Sequence, residues 1–147
     1  FPGTNGGELV KTGFGKKSLQ TLGYKVAGAM ADGDINHIFV IGGCDGLGEN
    51  RQFYTDIAHR IPPDSVILTY GCCKFRFNDL QNTAIAGVSR IIDVGQCGDL
   101  LNIVEAVEAI AAAAKCRVEE LPLTWLLSWQ EQRSIANLFS LFAADVH

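Results

Sequence analysis

The sequence predicts a domain of the α/β class, with a doubly wound, mainly parallel sheet that has helices on both faces. Two observations carry this prediction. Short apolar runs alternate along the chain with segments whose apolar residues recur at helical spacing, a pattern typical of parallel sheets with helical crossovers. The chain has 147 residues, of which 48% are hydrophobic and 19% charged. That is enough apolar material for one well-filled core, and it excludes wholesale disorder.

The first half of the chain contains two helices and two strands in alternation. Apolar side chains at helical spacing predict a helix over Lys16–Asp32, ended by a glycine. The apolar run His37–Ile41 predicts a strand that is buried on both faces. A helical pattern around Phe53–Ile61 stops at two prolines, which cannot continue a helix. Ser65–Tyr70 then predicts a second buried strand that ends at a glycine.

The second half repeats this alternation after an interruption. Lys74–Ser89 lacks a clear period and predicts irregular structure. Arg90–Val94 predicts a third strand, and Asp99 is a suitable N-cap for the long helix that follows. Leu123–Leu127 predicts a fourth strand, and a last helix is expected from about Gln132. Successive strands joined by helices imply right-handed crossovers and therefore a parallel sheet.

Charge and composition exclude several classes of partner. The net charge is −4 and the longest basic cluster is the pair Lys16 and Lys17, so neither nucleic acid nor an anionic membrane surface is an expected partner. No apolar stretch reaches the roughly 20 residues of a membrane span. The five cysteines are odd in number and lack the spacing of a disulfide scaffold. We therefore expect a reducing, cytoplasmic location and no disulfide.

The two ends of the sequence also carry an expectation. The chain opens at Phe1 without a methionine, and an apolar helical pattern is still running where it closes at His147. Neither glycine nor proline stops that pattern. We expect the 147 residues to be a piece of a longer protein.

Three cysteines and a carboxylate follow the ends of the predicted strands. Cys44, Cys72 and Cys97 each come one or two residues after a glycine that closes a strand, and Glu131 follows the fourth strand. The intervals between them each approximate the ~30 residues of one strand–helix–strand unit. Loops at the carboxyl ends of parallel strands converge on one crevice. We therefore expect these four residues on one rim of the sheet, called the carboxyl rim below.

Thiolates gathered in this way suit soft metals, and iron–sulfur clusters above all. A zinc site is a weaker alternative because the sequence has no Cys-x-x-Cys pair and no histidine at ligand spacing. A nucleotide- or flavin-binding module with incidental cysteines also stays open, as does a structural shell with an empty rim. Two cysteines stand outside the pattern: Cys116 is expected to pack past a helix end, and Cys73 to point away from Cys72.

Four motifs together resemble the hybrid cluster protein family, the prismane proteins, which are also called hydroxylamine reductases. The more distant nickel carbon monoxide dehydrogenases share the rim cysteines, so a metal-cluster domain of that kind is an alternative. The two motifs that start at Cys72 and Leu127 resemble the hybrid cluster side. The likeness runs in order over nearly the whole chain. The motifs are Gly42-Gly43-Cys44-Asp45-Gly46, Cys72-x-Lys74-Phe75-Arg76-Phe77-Asn78, Asp93-Val94-Gly95-Gln96-Cys97-x-Asp99 and Leu127-Ser128-Trp129-x-Glu131-Gln132.

The resemblance implies that residues 1–147 form one Rossmann-like domain, part of the third and C-terminal domain of a longer protein. It implies that Cys44, as a persulfide, joins Cys72, Cys97 and Glu131 in holding an iron–sulfur–oxygen hybrid cluster. Soft sulfur and a hard oxygen ligand suit such a mixed cluster. Arg133 stands where many relatives have lysine, and it keeps the positive charge but cannot give up a proton.

The same resemblance implies an activity for the longer protein. It would reduce hydroxylamine to ammonia and water, or reduce nitric oxide, with electrons from a donor protein. Glu131 and Arg133 are then the candidate catalytic residues. The remaining cluster ligands and a second, cubane cluster would come from upstream domains absent from this chain. We therefore expect the 147 residues to fold but to be inactive, without an intact hybrid cluster.

Overall fold

A computed structural model describes residues 13–44, 52–76, 79–80, 83–128 and 132–143. The predicted α/β class is confirmed, because a four-stranded parallel sheet is flanked by helices. The strands are β1 (His37–Gly43), β2 (Ser65–Gly71), β3 (Ala84–Ile85), β4 (Val88–Ser89), β5 (Ile91–Gly95) and β6 (Leu123–Ser128). The α-helices are α1 (Lys16–Ala31), α2 (Phe53–Arg60), α3 (Leu100–Ala114) and α4 (Gln132–Ala143).

The sheet has the strand order β5-β2-β1-β6, and every pairing in it is parallel. In this sheet β2 lies beside β1 and β5 lies beside β2, whereas β6 lies on the other side of β1. The order therefore reverses between β1 and β6. In open parallel sheets, such a reversal opens a crevice at the carboxyl ends of the two strands, where ligands bind.

Alternate strand residues face two separate cores. The larger core lies under α1 and α3, and Gly23 of α1 allows close packing there, since a Cβ at this position would lie 3.3 Å from the Cβ of Ala109. The strand residues of this core include Ile38, Val40, Val66, Leu68, Ile92 and Val94. The smaller core lies under α2 and contains Ile41, Ala58, Ile61, Ile67, Cys73 and Ile91. Burial on both faces explains the continuous apolar runs of the strands.

The structure differs from expectation between β2 and β5. Instead of wholly irregular chain, a 3₁₀ helix spans Cys72–Arg76, and β3 and β4 form a small antiparallel hairpin. The hairpin turn places Ala86 and Gly87 at positive φ, 49° and 76°, as in the two-residue turns that suit strand twist. Two-residue strands show no readable period, which is why the sequence pattern missed them.

The start of α3 also differs in detail. Asp99 occupies the predicted N-cap position, but its carboxylate accepts a hydrogen bond from the Gln96 backbone N–H at 2.7 Å. That bond closes a 3₁₀ turn, Cys97–Asp99, which precedes the helix. Among the described residues, no helix combines the length and apolar character needed to cross a bilayer.

Candidate metal centre at the carboxyl rim

The structure places the three predicted cysteines at the carboxyl ends of three neighbouring strands. Cys44 directly follows β1, Cys72 directly follows β2, and Cys97 follows β5 by two residues. Their placement on one rim is as predicted. Cys44 is buried, Cys97 is half-buried and Cys72 is exposed, and all five cysteines of the chain, each within the described residues, are thiols.

Glycines at the strand ends allow the sulfur atoms and backbones to approach each other. Gly43 and Gly71 have φ of 108° and 72°, a region that glycine enters without strain. A Cβ on Gly71 would lie 2.9 Å from the Cys97 Sγ and 2.7 Å from the Gly43 carbonyl oxygen. The Cys97 sulfur therefore sits directly against the end of β2, in space that any other residue at position 71 would fill.

The two remaining cysteines lie elsewhere, as expected. Cys73 is only 1% exposed and belongs to the small core under α2, while its neighbour Cys72 is exposed. Cys116 follows α3 and packs half-buried against the larger core. Both have the environments of packing residues.

The fourth predicted ligand, Glu131, lies outside the described residues. Arg133 belongs to the first turn of α4, and its side chain is likewise outside the described part. The structure therefore does not test the prediction that Glu131 and Arg133 join the three thiols. What it does place is the end of β6, Ser128, beside Gly43 at the point where the strand order reverses.

Polar side chains of α2 and β6 meet near this reversal point. The Tyr54 hydroxyl of α2 donates to the Leu127 carbonyl at 3.0 Å. Burial raises the pKa of Tyr54, the nearby Ser128 hydroxyl partly offsets that rise, and the Cys73 thiol adds to it. Ser128 is 2% exposed. The hydrogen bond from Tyr54 therefore holds α2 against the buried carboxyl end of β6.

A buried ion pair lies beside the cysteines, and the sequence reasoning missed its role. The Lys74 ammonium donates to both carboxylate oxygens of Asp93, at 3.0 and 2.9 Å, and to the Gly95 carbonyl at 3.2 Å. Lys74 is 3% exposed and Asp93 is fully buried. A charged residue inside the apolar run of β5 was the available signal, because such residues are buried only when paired.

These residues fit an iron–sulfur group in part. The donor chemistry is suitable, because three thiols lie on one rim and glycines there leave room beside the sulfur atoms. Within the described residues, no three His, Cys, Asp or Glu side chains stand close enough together to hold a metal ion. As placed in this structure, the three rim thiols alone therefore do not form a metal-binding group.

Comparison with known proteins agrees with this chemistry. The sequence model of the Prismane/CO dehydrogenase family matches residues 8–145. A hydroxylamine reductase of Burkholderia lata is 41% identical over 143 residues, which are 97% of this chain and 26% of that protein. Hydroxylamine reductases of Geobacter metallireducens and Moorella thermoacetica are each 43% identical, over 90% and 96% of this chain and 24% and 33% of their own lengths. The chain thus spans about a quarter to a third of these relatives.

Proposed function

The chain belongs to the Prismane/CO dehydrogenase family, and we propose that it forms the cluster-binding part of a hydroxylamine reductase. In this proposal residues 1–147 belong to the third, C-terminal domain of a longer protein. Cys44, Cys72, Cys97 and Glu131 supply four ligands of an iron–sulfur–oxygen hybrid cluster. Upstream domains supply the remaining ligands and hold a second, cubane cluster.

One observation carries the proposal: three thiols stand at the carboxyl ends of three neighbouring parallel strands. A nucleotide site at this rim would need backbone amides and glycines but no set of thiols. A purely structural role would bury all three sulfurs, as for Cys73, whereas only Cys44 of the three is buried. Cys72 is exposed and Cys97 half-buried, so neither residue is enclosed in the core as Cys73 is.

The reaction fits this donor set. Reduction of hydroxylamine breaks the N–O bond, consumes two electrons and two protons, and releases ammonia and water. The bound cluster, supplied with electrons by a donor protein, would provide the redox chemistry; nitric oxide is the alternative substrate. The Cys44 sulfur, as a persulfide, and the two plain thiolates would hold its sulfur-rich side, and the Glu131 carboxylate the oxygen-binding side.

In this proposal Arg133 contributes a positive charge but, unlike a lysine, no transferable proton. Its guanidinium stays protonated at all relevant pH values, so it can attract and orient a polar substrate but cannot donate the proton. Protons for the departing oxygen must then come from another group or from water.

The proposal also includes a cytoplasmic location, because thiols stay reduced in that compartment.

The test uses the full-length protein, purified without oxygen. Iron and acid-labile sulfide are counted per chain, and the electron paramagnetic resonance spectrum is recorded. Oxidation of a reduced viologen dye by hydroxylamine gives the activity. We expect Cys72→Ala, Cys97→Ala and Glu131→Gln to lose hybrid-cluster iron and activity. Cys116→Ala is the matched control, since that thiol packs away from the rim, and it should keep both.

Two outcomes contradict the proposal. Equal iron contents in the Cys72→Ala and Cys116→Ala variants would show that the rim thiols are not ligands. A full-length protein without iron that instead carries one flavin or nucleotide per chain would assign the rim to the alternative module. The strand order of the sheet is compatible with that alternative, which makes the cofactor count a necessary part of the test.

A further inference from the structure

We propose that Lys74 and Asp93 are positioning residues that hold the Cys72 and Cys97 turns together at the carboxyl rim. Lys74 lies two residues after Cys72, within the same 3₁₀ helix. Asp93 lies in β5, which leads to Cys97. The inference deepens the proposed function and rests on it where it concerns the cluster, although the positioning itself can be measured in the metal-free protein.

The ion pair is saturated with hydrogen bonds. The Lys74 ammonium uses its three donors on the two Asp93 oxygens and the Gly95 carbonyl. Each Asp93 oxygen also accepts a backbone N–H, Oδ1 from Gly95 at 2.9 Å and Oδ2 from Gly13 at 3.2 Å. Gly95 is thus held at both its N–H and its carbonyl. The peptide groups on both sides of Gly95 are therefore fixed just ahead of Cys97.

The pair also spans an irregularity in the sheet. Thr69 of β2 pairs with Asp93, whereas the next residue, Tyr70, pairs with Gly95, so Val94 is an extra residue in β5. Bulges of this kind redirect the chain and are common beside functional sites. Here the redirected chain brings the Cys97 sulfur against Gly71, the residue before Cys72. Lys74 and Asp93 hold the bulged strand in the conformation that makes this approach.

Stability alone does not account for such a pair. Replacement of a buried ion pair by apolar residues of similar volume is often neutral or stabilising, because removing two charges from water is costly. A well-packed α/β core would place an apolar residue at position 93, as it does at the buried Ile91 of the same strand. The Lys74–Asp93 pair instead fixes one arrangement of two loops that both carry thiols.

The experiment compares two buried cations of the same sheet in the anaerobic full-length protein. Lys74→Met removes the ammonium at the carboxyl ends, and Arg90→Met is the matched control at the opposite ends. Asp93→Asn is a milder second variant that keeps an acceptor oxygen. We expect Lys74→Met and Asp93→Asn to weaken retention of cluster iron against a chelator about 10–100-fold, as for other groups that orient metal ligands. Their cluster resonance spectra should change, whereas Arg90→Met keeps the wild-type spectrum and iron per folded chain.

A second measurement uses metal-free protein. The rate at which iodoacetamide alkylates Cys97 is measured by mass spectrometry, with Cys116 as internal reference. We expect a faster rate at Cys97 in Lys74→Met and Asp93→Asn, with no change in Arg90→Met. Wild-type alkylation and spectra in both rim variants would overturn the inference. If the wild-type protein binds no iron, the proposed function fails, and the alkylation rates still decide whether Lys74 and Asp93 position Cys97.

Discussion

The two ends of the parallel strands are built differently around two buried cations. At the amino ends, Arg90 is 9% exposed, and its guanidinium donates to the carbonyls of Ile61, Pro62 and Ser65, at 2.7, 3.1 and 3.4 Å. At the carboxyl ends, Lys74 is paired with the Asp93 carboxylate. Arg90 joins the loops that precede two strands, whereas Lys74 joins the loops that carry two thiols.

Other residues also differ between the amino ends and the carboxyl ends of the strands. At the amino ends, Asn36 donates to the Asp64 carboxylate at 2.7 Å, and this bond lowers the pKa of Asp64. At the carboxyl ends, three glycines lie at positive φ, from 72° to 138°. One end of the sheet is closed by hydrogen bonds between its loops, and at the other end glycines let the chain approach the rim thiols without strain.

The largest expected effect on stability is at Asp93. Asp93→Ala leaves the Lys74 ammonium buried without a counter-charge. It also removes the acceptor of the hydrogen bonds from the backbone N–H groups of Gly13 and Gly95. We expect the free energy of unfolding to fall by about 3–5 kcal/mol, as for other broken buried pairs, measured by urea denaturation. The double variant Lys74→Met/Asp93→Leu should recover part of the loss. An Asp93→Ala protein as stable as wild type would show that the buried pair does not hold the carboxyl ends together.

The next effect concerns Gly71, where a side chain would enter the space beside Cys97. Gly71→Ala and Gly87→Ala both place alanine at similar positive φ, 72° and 76°. Only at Gly71 would the new Cβ collide, because nothing lies within 4 Å of a Cβ at Gly87. We expect Gly71→Ala to be less stable than Gly87→Ala by about 1–3 kcal/mol, the usual effect of overpacking. Equal melting temperatures for the two variants would contradict the close approach.

An effect of similar size is expected at the amino ends. Arg90→Lys keeps the charge, but an ammonium cannot reproduce the planar set of donors that serves three carbonyls. We expect a loss of about 1–3 kcal/mol from carbonyls left without partners, with unchanged iron content and resonance spectrum. A loss of cluster iron in Arg90→Lys would show that the two ends of the sheet are not functionally separate.

The smallest effect is expected outside both ends, at the exposed pair His59 and Asp79, 2.7 Å apart. Hydrogen bonds to the Thr55 carbonyl and to Asp79 raise the pKa of His59 above its ordinary 6.5. The protonated form therefore stabilises the fold fully below pH 6.5, and this contribution disappears as the pH rises through the raised pKa. Solvent screening limits it to less than about 1 kcal/mol.

The check compares wild type and His59→Gln by thermal denaturation across this pH range. The wild-type advantage should be largest in mildly acidic buffer and vanish in alkaline buffer. Asp79→Asn should show part of the same change, since the Thr55 bond remains. An advantage of His59 that grows with pH would reverse the sign and contradict the raised pKa.

The sequence by itself determined the local elements and the rim. Helical spacing and apolar runs predicted α1 to α4 and the four sheet strands, because these periods reflect which side chains are buried within one element. The position of Cys44, Cys72 and Cys97 on one rim followed as well, since parallel strands one crossover apart must end on the same side. The described structure leaves the fourth predicted ligand, Glu131, untested.

Only the tertiary structure decided how these elements meet. The order β5-β2-β1-β6 puts the end of β6 beside Cys44 rather than beside Cys97. The Lys74–Asp93 pair joins two chain segments that show no shared pattern in the sequence. The extra residue Val94 in β5 is likewise visible only in the pairing of the strands. Local periods report burial within one element, whereas pairing across strands depends on the total free energy of the packed domain, which no single segment carries.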